Sequence, residues 1–202
     1  MREVTHKVYE YYELTDEAKE KAREWFTDYE HGFEFDHAWV YEDAKALAAL
    51  IGIRIKDISY SGFWSQGDGA SFTGSYSYEC GGVKAIKAES PNETELHRIA
   101  KDLQKLQAKK AYRIRAEITR HSSRYSHENT VAIAVFDRPD TDWETDDRDM
   151  AEAITETLRD FMRWIYKALK REYDYQVSEE AVSENIRANG YEFYENGSFA
   201  NE

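Results

Sequence analysis

The chain of 202 residues has one cysteine, Cys80, and two prolines, Pro91 and Pro139. A single thiol excludes an internal disulfide framework and fits a reducing compartment, so a cytoplasmic protein is expected. Two isolated prolines leave no proline-rich linker, and no segment repeats at a fixed period. No apolar run reaches the roughly 18 residues that a membrane helix needs, and the Met-Arg-Glu-Val start lacks the apolar core of a signal peptide. Basic residues are also scarce: 27 against 40 acids give a net charge of −13. A surface of that sign repels phosphate backbones, which argues against direct nucleic-acid binding. What is present is apolar mass. Hydrophobic residues are 41% and aromatics 14% of the chain, enough for a packed interior and too much for disorder.

The apolar spacing alternates between two periods. Val4 to Tyr12 reads as a strand, although its alternation is imperfect. Helical spacing follows from about Thr15 to Tyr29, with Thr15 or Asp16 as cap, and from Asp36 to Ile51, closed by Gly52. Ile53 to Ser61 and Ala70 to Tyr78 flank a Gly-Asp-Gly reversal and predict a β-hairpin. Ser90-Pro91-Asn92-Glu93 predicts a helix start with serine as cap and proline in the first helical position. Tyr112 to Thr119 and Val131 to Val135 form a second hairpin around a polar turn. Arg148 to Tyr173 carries the strongest apolar stripe, Ser178 caps a last helix, and Tyr191 to Tyr194 closes as a strand. Hairpins separated by helices predict one α+β domain over residues 1–202, an antiparallel sheet with helices packed on one face.

Two stretches carry chemistry. In the first, Phe63, Trp64 and Phe72 offer flat apolar faces, while Ser65, Gln66, Asp68 and Ser71 offer donors and acceptors among glycines. That mixture suits a small-molecule pocket, and it equally suits a hairpin whose rings cap the core. The second, Arg120 to Asn129, sets Arg124, Tyr125, His121 and His127 at the other hairpin tip, a cationic spot on an acidic protein. Arginine forks there suit a phosphate or carboxylate. If the tips are neighbours, Asp68 is expected near His127, an acid–base pair beside aromatic walls, with His121 as a third candidate catalytic group. No cofactor or metal is expected. His31 and His37, like His121 and His127, stand six apart, Cys80 has no cysteine partner, and no Gly-Lys-Ser or Gly-x-Ser-x-Gly signature occurs.

The run Ser61-Gly62-Phe63-Trp64-Ser65-Gln66-Gly67-Asp68-Gly69-Ala70-Ser71-Phe72 resembles a motif of bacteriophage and prophage proteins, some labelled antitoxin-like. The resemblance extends to Tyr41-Glu42-Asp43-Ala44, Arg124-Tyr125-Ser126-His127 and Tyr191-Glu192-Phe193. It implies a phage protein acting inside a bacterial cell, and no particular reaction. The expected function is binding: inhibition of a host protein of an antiphage defence or toxin system through the acidic surface, or capture of a small nucleotide-like ligand by Phe63, Trp64, Gln66 and Arg124. Candidate acidic rows are Glu13 to Glu20, Asp137 to Asp149 and Glu172 to Glu184. The alternative is a small hydrolase or transferase using Asp68, His121 and His127.

Overall fold

A computed structural model describes residues 6–28, 33–121, 124–137 and 145–200. Its elements run β1 (Tyr9–Glu10), a 3-10 turn (Tyr11–Glu13), α1 (Asp16–Thr27), α2 (Ala38–Leu50), β2 (Ile53–Ser61) and β3 (Gly69–Ser77). Then come α3 (Gly82–Glu89), α4 (Thr94–Lys109), β4 (Arg115–Arg120), β5 (Val131–Phe136), α5 (Arg148–Gln176), α6 (Glu179–Ala188) and β6 (Glu192–Phe193). The fold is α+β with antiparallel sheets, as the hairpin pattern predicts. Among the described residues no helix is long and apolar enough to cross a membrane.

Contacts divide the chain into two compact units. One takes in the described residues of 38–170, the other those of 1–37 and 171–202. The larger unit holds the four-stranded sheet β2-β3-β4-β5. Alternate residues of its strands face an apolar layer: Ala70, Phe72 and Tyr76 of β3, and Ala116 and Ile118 of β4, are all buried. Phe72 and Phe161 of α5 meet edge to face, with centroids 6.1 Å apart. The α5 stripe is buried as its spacing requires, with Ile154, Leu158, Phe161, Ile165 and Leu169 fully enclosed.

A hydrogen-bonded polar group is buried in that layer. Gln107 of α4 donates to the Ile114 carbonyl at 2.8 Å and the Tyr76 hydroxyl at 3.2 Å, and accepts from the Ile114 amide at 3.1 Å. A fully satisfied buried amide holds α4 in one register against the sheet. The same burial pushes the Tyr76 phenol up to about 12.

Two expectations need correction. The first strand shrinks to Tyr9–Glu10, because Tyr11 turns inward and its hydroxyl shares a 2.7 Å hydrogen bond with Ser183 Oγ; Val4 lies outside the described residues. Ser90 does not cap the fourth helix. It is instead the C-cap of α3, its amide donating to Ile86 O at 2.9 Å, and α4 begins at Thr94 after a Pro91-Asn92 turn. Glu93 then accepts the indole N–H of Trp164 at 2.9 Å. The sequence reading passed over α3 because the helix is only eight residues long and starts on a glycine.

The smaller unit packs α1, α6 and the β1–β6 pair around Leu14, Ala22, Val182, Ile186 and Phe193. Thr15 and Ser178 cap its helices as predicted, accepting from Ala18 N and Ala181 N.

The larger unit lends itself to two tests. Gln107→Leu keeps the volume and strands the Ile114 and Tyr76 groups, so urea unfolding should show a loss of about 2–4 kcal/mol. A loss under about 0.5 kcal/mol would mean that the amide is dispensable. Asp43 is raised by burial first, then by the charges of Glu89 and Glu93. A raised carboxyl penalises the fold above its folded value and not below its unfolded one. Asp43→Asn should therefore raise the melting temperature near pH 7, with the gain fading as pH falls through the folded value and gone by about pH 3. A gain independent of pH would contradict this cause.

Candidate functional site

The β3–β4 register, with Gly74 opposite Ile118 and Ser77 opposite Arg115, brings both hairpin tips to one end of the sheet. There they interlock. Ser61 Oγ donates to Ser126 O at 3.2 Å and accepts from Ser126 N at 3.1 Å. Arg120 donates to Ser59 Oγ at 2.9 Å and Ser126 Oγ at 2.6 Å. Gly69 is a glycine for lack of space: a Cβ there would stand 2.5 Å from the His127 Cβ. Gly67 is the reversal's left-handed position, with φ +95°.

The first tip is a knotted loop. Asp68 Oδ2 accepts from both Trp64 N, at 2.8 Å, and Ser65 N, at 2.6 Å, while Asp68 N donates to Ser65 O at 3.1 Å. This is the local side-chain capping at which aspartate excels. Phe63 is stacked with Tyr60 at 5.6 Å on one side and with Tyr166 of α5 at 5.7 Å on the other. Trp64 projects beyond this stack, 74% exposed, with the Lys170 ammonium 4.6 Å from its ring centroid. A cation over an indole face contributes about 0.5–1 kcal/mol at an exposed site.

The tips therefore make a ridge. Trp64, Ser65 and Gln66 are exposed along it, as are Arg124 and Tyr125, whose guanidinium and ring lie 5.9 Å apart. Phe72 and Ser71 are buried below it, 1% and 2% exposed, and present nothing to a ligand from outside. Arg120 and Arg124 are both exposed, and Arg120 is hydrogen-bonded to Ser59 and Ser126. Asp68 and His127 do not share a hydrogen bond: Asp68 serves its own loop, and His127 Nδ1 accepts from Asn129 N at 3.2 Å. His121 follows β4, exposed, its amide donating to Thr130 O. A cavity of about 400 Å³ opens within the smaller unit.

Burial raises the Tyr60 phenol. Burial, and then the charge of Asp68, raises that of Tyr166. Burial takes Tyr41 to about 12, with Tyr60 adding to it. These phenols stay neutral at ordinary pH and act through their faces and hydroxyls. Among the described residues no cluster of three or more His, Cys, Asp or Glu could hold a metal ion.

Sequence reading missed the buttress beneath the ridge. Arg163, Tyr166 and Lys170 stand at i, i+3 and i+7 on α5, one helical face. Arg163 reaches Glu128 of the second tip at 3.3 Å, Tyr166 backs Phe63, and Lys170 covers Trp64. The spacing was a readable signal, but polar residues on a helix facing solvent look the same in sequence.

Asp68→Ala removes the acceptor of two amides and should loosen the loop alone. Hydrogen exchange at residues 62–68 should rise at least about tenfold while sheet amides keep their protection. Unchanged exchange in the loop would contradict the tethering role.

No curated protein and no solved structure matches the chain. Residues 37–179 match a family described as a domain of unknown function, DUF8835. As the match takes in well over half of the 202 residues, the protein belongs to the DUF8835 family.

Proposed function

We propose that the protein acts by binding and not by turnover, docking the hairpin-tip ridge onto a protein of a bacterial host. The observation that carries this reading is Trp64, 74% exposed on a loop that Asp68 holds by two backbone amides. An indole left in water forgoes about 1.5–3 kcal/mol of burial that a partner recovers. The loop is already ordered, so binding does not bear that entropy again. Trp64, Tyr125 and Arg124 are the residue types that dominate protein interfaces. A nucleotide-like ligand is favoured less, since such ligands are mostly enclosed by their sites and Trp64 is 74% exposed.

The acidic exterior is a weaker anchor, because many of its charges are already matched. Asp16 pairs with Lys19, Glu179 with Arg23, and Asp137 and Asp147 both grip Lys110. Within the acidic row from Asp137 to Asp149, positions 138–144 lie outside the described residues. The enzyme reading needs Asp68 and His127 to cooperate, and each is engaged in its own loop. The likeness of Ser61 to Phe72 to phage proteins makes a cytoplasmic antiphage defence or toxin component the target class to test.

Affinity capture from bacterial lysate identifies the partner, and titration with that partner purified tests the site. Trp64→Ala should weaken binding at least about tenfold, about 1.4 kcal/mol. The wild-type affinity should survive salt of about 0.5 M, where exposed charges are screened. Undiminished binding by Trp64→Ala, or collapse of wild-type binding in salt, would overturn the ridge as the docking site.

A further inference from the structure

A cavity of about 400 Å³ is built wholly within the smaller unit. Its volume falls within the roughly 300–1,000 Å³ of small-molecule sites. Nearly all of its lining lies outside residues 37–179, so it belongs to what this chain adds to the family domain.

Four aromatic rings wall it: Trp25 and Phe26 of α1, Phe33, and Tyr191 after α6. Three of these rings brace one another. Trp25 meets Tyr191 edge to face at 5.5 Å, and its ring is stacked with Phe199 at 4.0 Å. Phe26 leans on Tyr191 at 6.2 Å. In the same lining, Gln176 clasps the backbone of Asp36, accepting from its amide at 3.2 Å and donating to its carbonyl at 2.5 Å.

The formal charge of the described lining has one sign. Gln176 spends its amide nitrogen on Asp36 O and Glu172, at 2.5 and 2.7 Å. Asn185 donates its amide to Ala181 O at 3.0 Å, and Asn189 donates to Asn185 O at 2.9 Å. Gln176 thus has both amide protons spent, while Asn185 and Asn189 each keep one donor beside an oxygen acceptor. Glu34 and Asp36 add two carboxylates, and among the described residues no lysine or arginine lines the cavity. Aromatic faces attract cations through their quadrupoles, and acceptors with net negative charge satisfy a cation's donors. A phosphate or carboxylate would meet the repulsion of these carboxylates with no lysine or arginine of the described lining to offset it.

We propose that this cavity is a binding site for a small organic cation, an alkylammonium or a guanidinium. The aromatic walls take its apolar body and the Glu34 carboxylate complements its charge. The site is independent of the hairpin ridge, so either reading can fail alone.

Calorimetry with choline, with its uncharged isostere dimethylbutanol, and with agmatine tests this directly. Choline or agmatine should bind the full-length protein at least about tenfold more tightly than dimethylbutanol. Glu34→Gln and Phe33→Ala should each lose at least about fivefold, while Trp64→Ala binds as wild type. Asn189→Lys places a cation at the cavity wall and should abolish binding, with the melting temperature reporting that the fold persists. Equal binding of the isostere, no binding of either cation, or full affinity in Glu34→Gln would overturn the assignment.

Discussion

The meeting of the two hairpin tips is the constraint on which the candidate site depends. It is set by the antiparallel register of β3 and β4, which fixes where each strand ends. It is then locked by Ser61, whose one hydroxyl both donates to and accepts from the Ser126 backbone, and by the absence of a side chain at Gly69. A slip of one residue would invert every side chain of β4 and bring Arg115, Glu117 and Thr119 against the apolar layer. The buried Ala116 and Ile118 forbid it. Core packing thus determines which loop residues face solvent together.

From that junction the properties of the ridge follow in order. With the loops tied to each other, Asp68 needs only two hydrogen bonds to fix the Trp64 backbone. With α5 packed by its apolar stripe, its other face delivers Tyr166 behind Phe63 and Lys170 onto Trp64. The same helix ties the second tip through Arg163 to Glu128, within a network that also joins Asp160 and Glu156. Exposed ion pairs add little stability singly, but a shared network of this kind defines geometry. The protein thereby keeps a large aromatic side chain in water in a defined orientation.

Much of the fold was legible because apolar period and cap chemistry agree. The stripe of α5, the Thr15 and Ser178 caps and both hairpins are local signals, and each is realised. Ser90 misled because a serine followed by proline also suits the C-cap of one helix and the turn before the next. The tip residues Trp64, Asp68 and Arg124 stood out by composition, yet their exposure did not. The same Gly-rich run holds Trp64, out in solvent, and Phe72, sealed in the core. The cavity of the smaller unit was not visible at all. Trp25 and Phe26 read as helix stripe, while Asn185, Asn189 and Tyr191 lie far along the chain and converge only through tertiary packing.

The central claim is that Trp64 is held in place before any partner arrives, and backbone amide relaxation by NMR measures this on the free protein. The account predicts an order parameter for the Trp64 amide near the rigid-backbone value of about 0.85, matching the flanking strands. A value below about 0.6, that of a flexible loop, would contradict it.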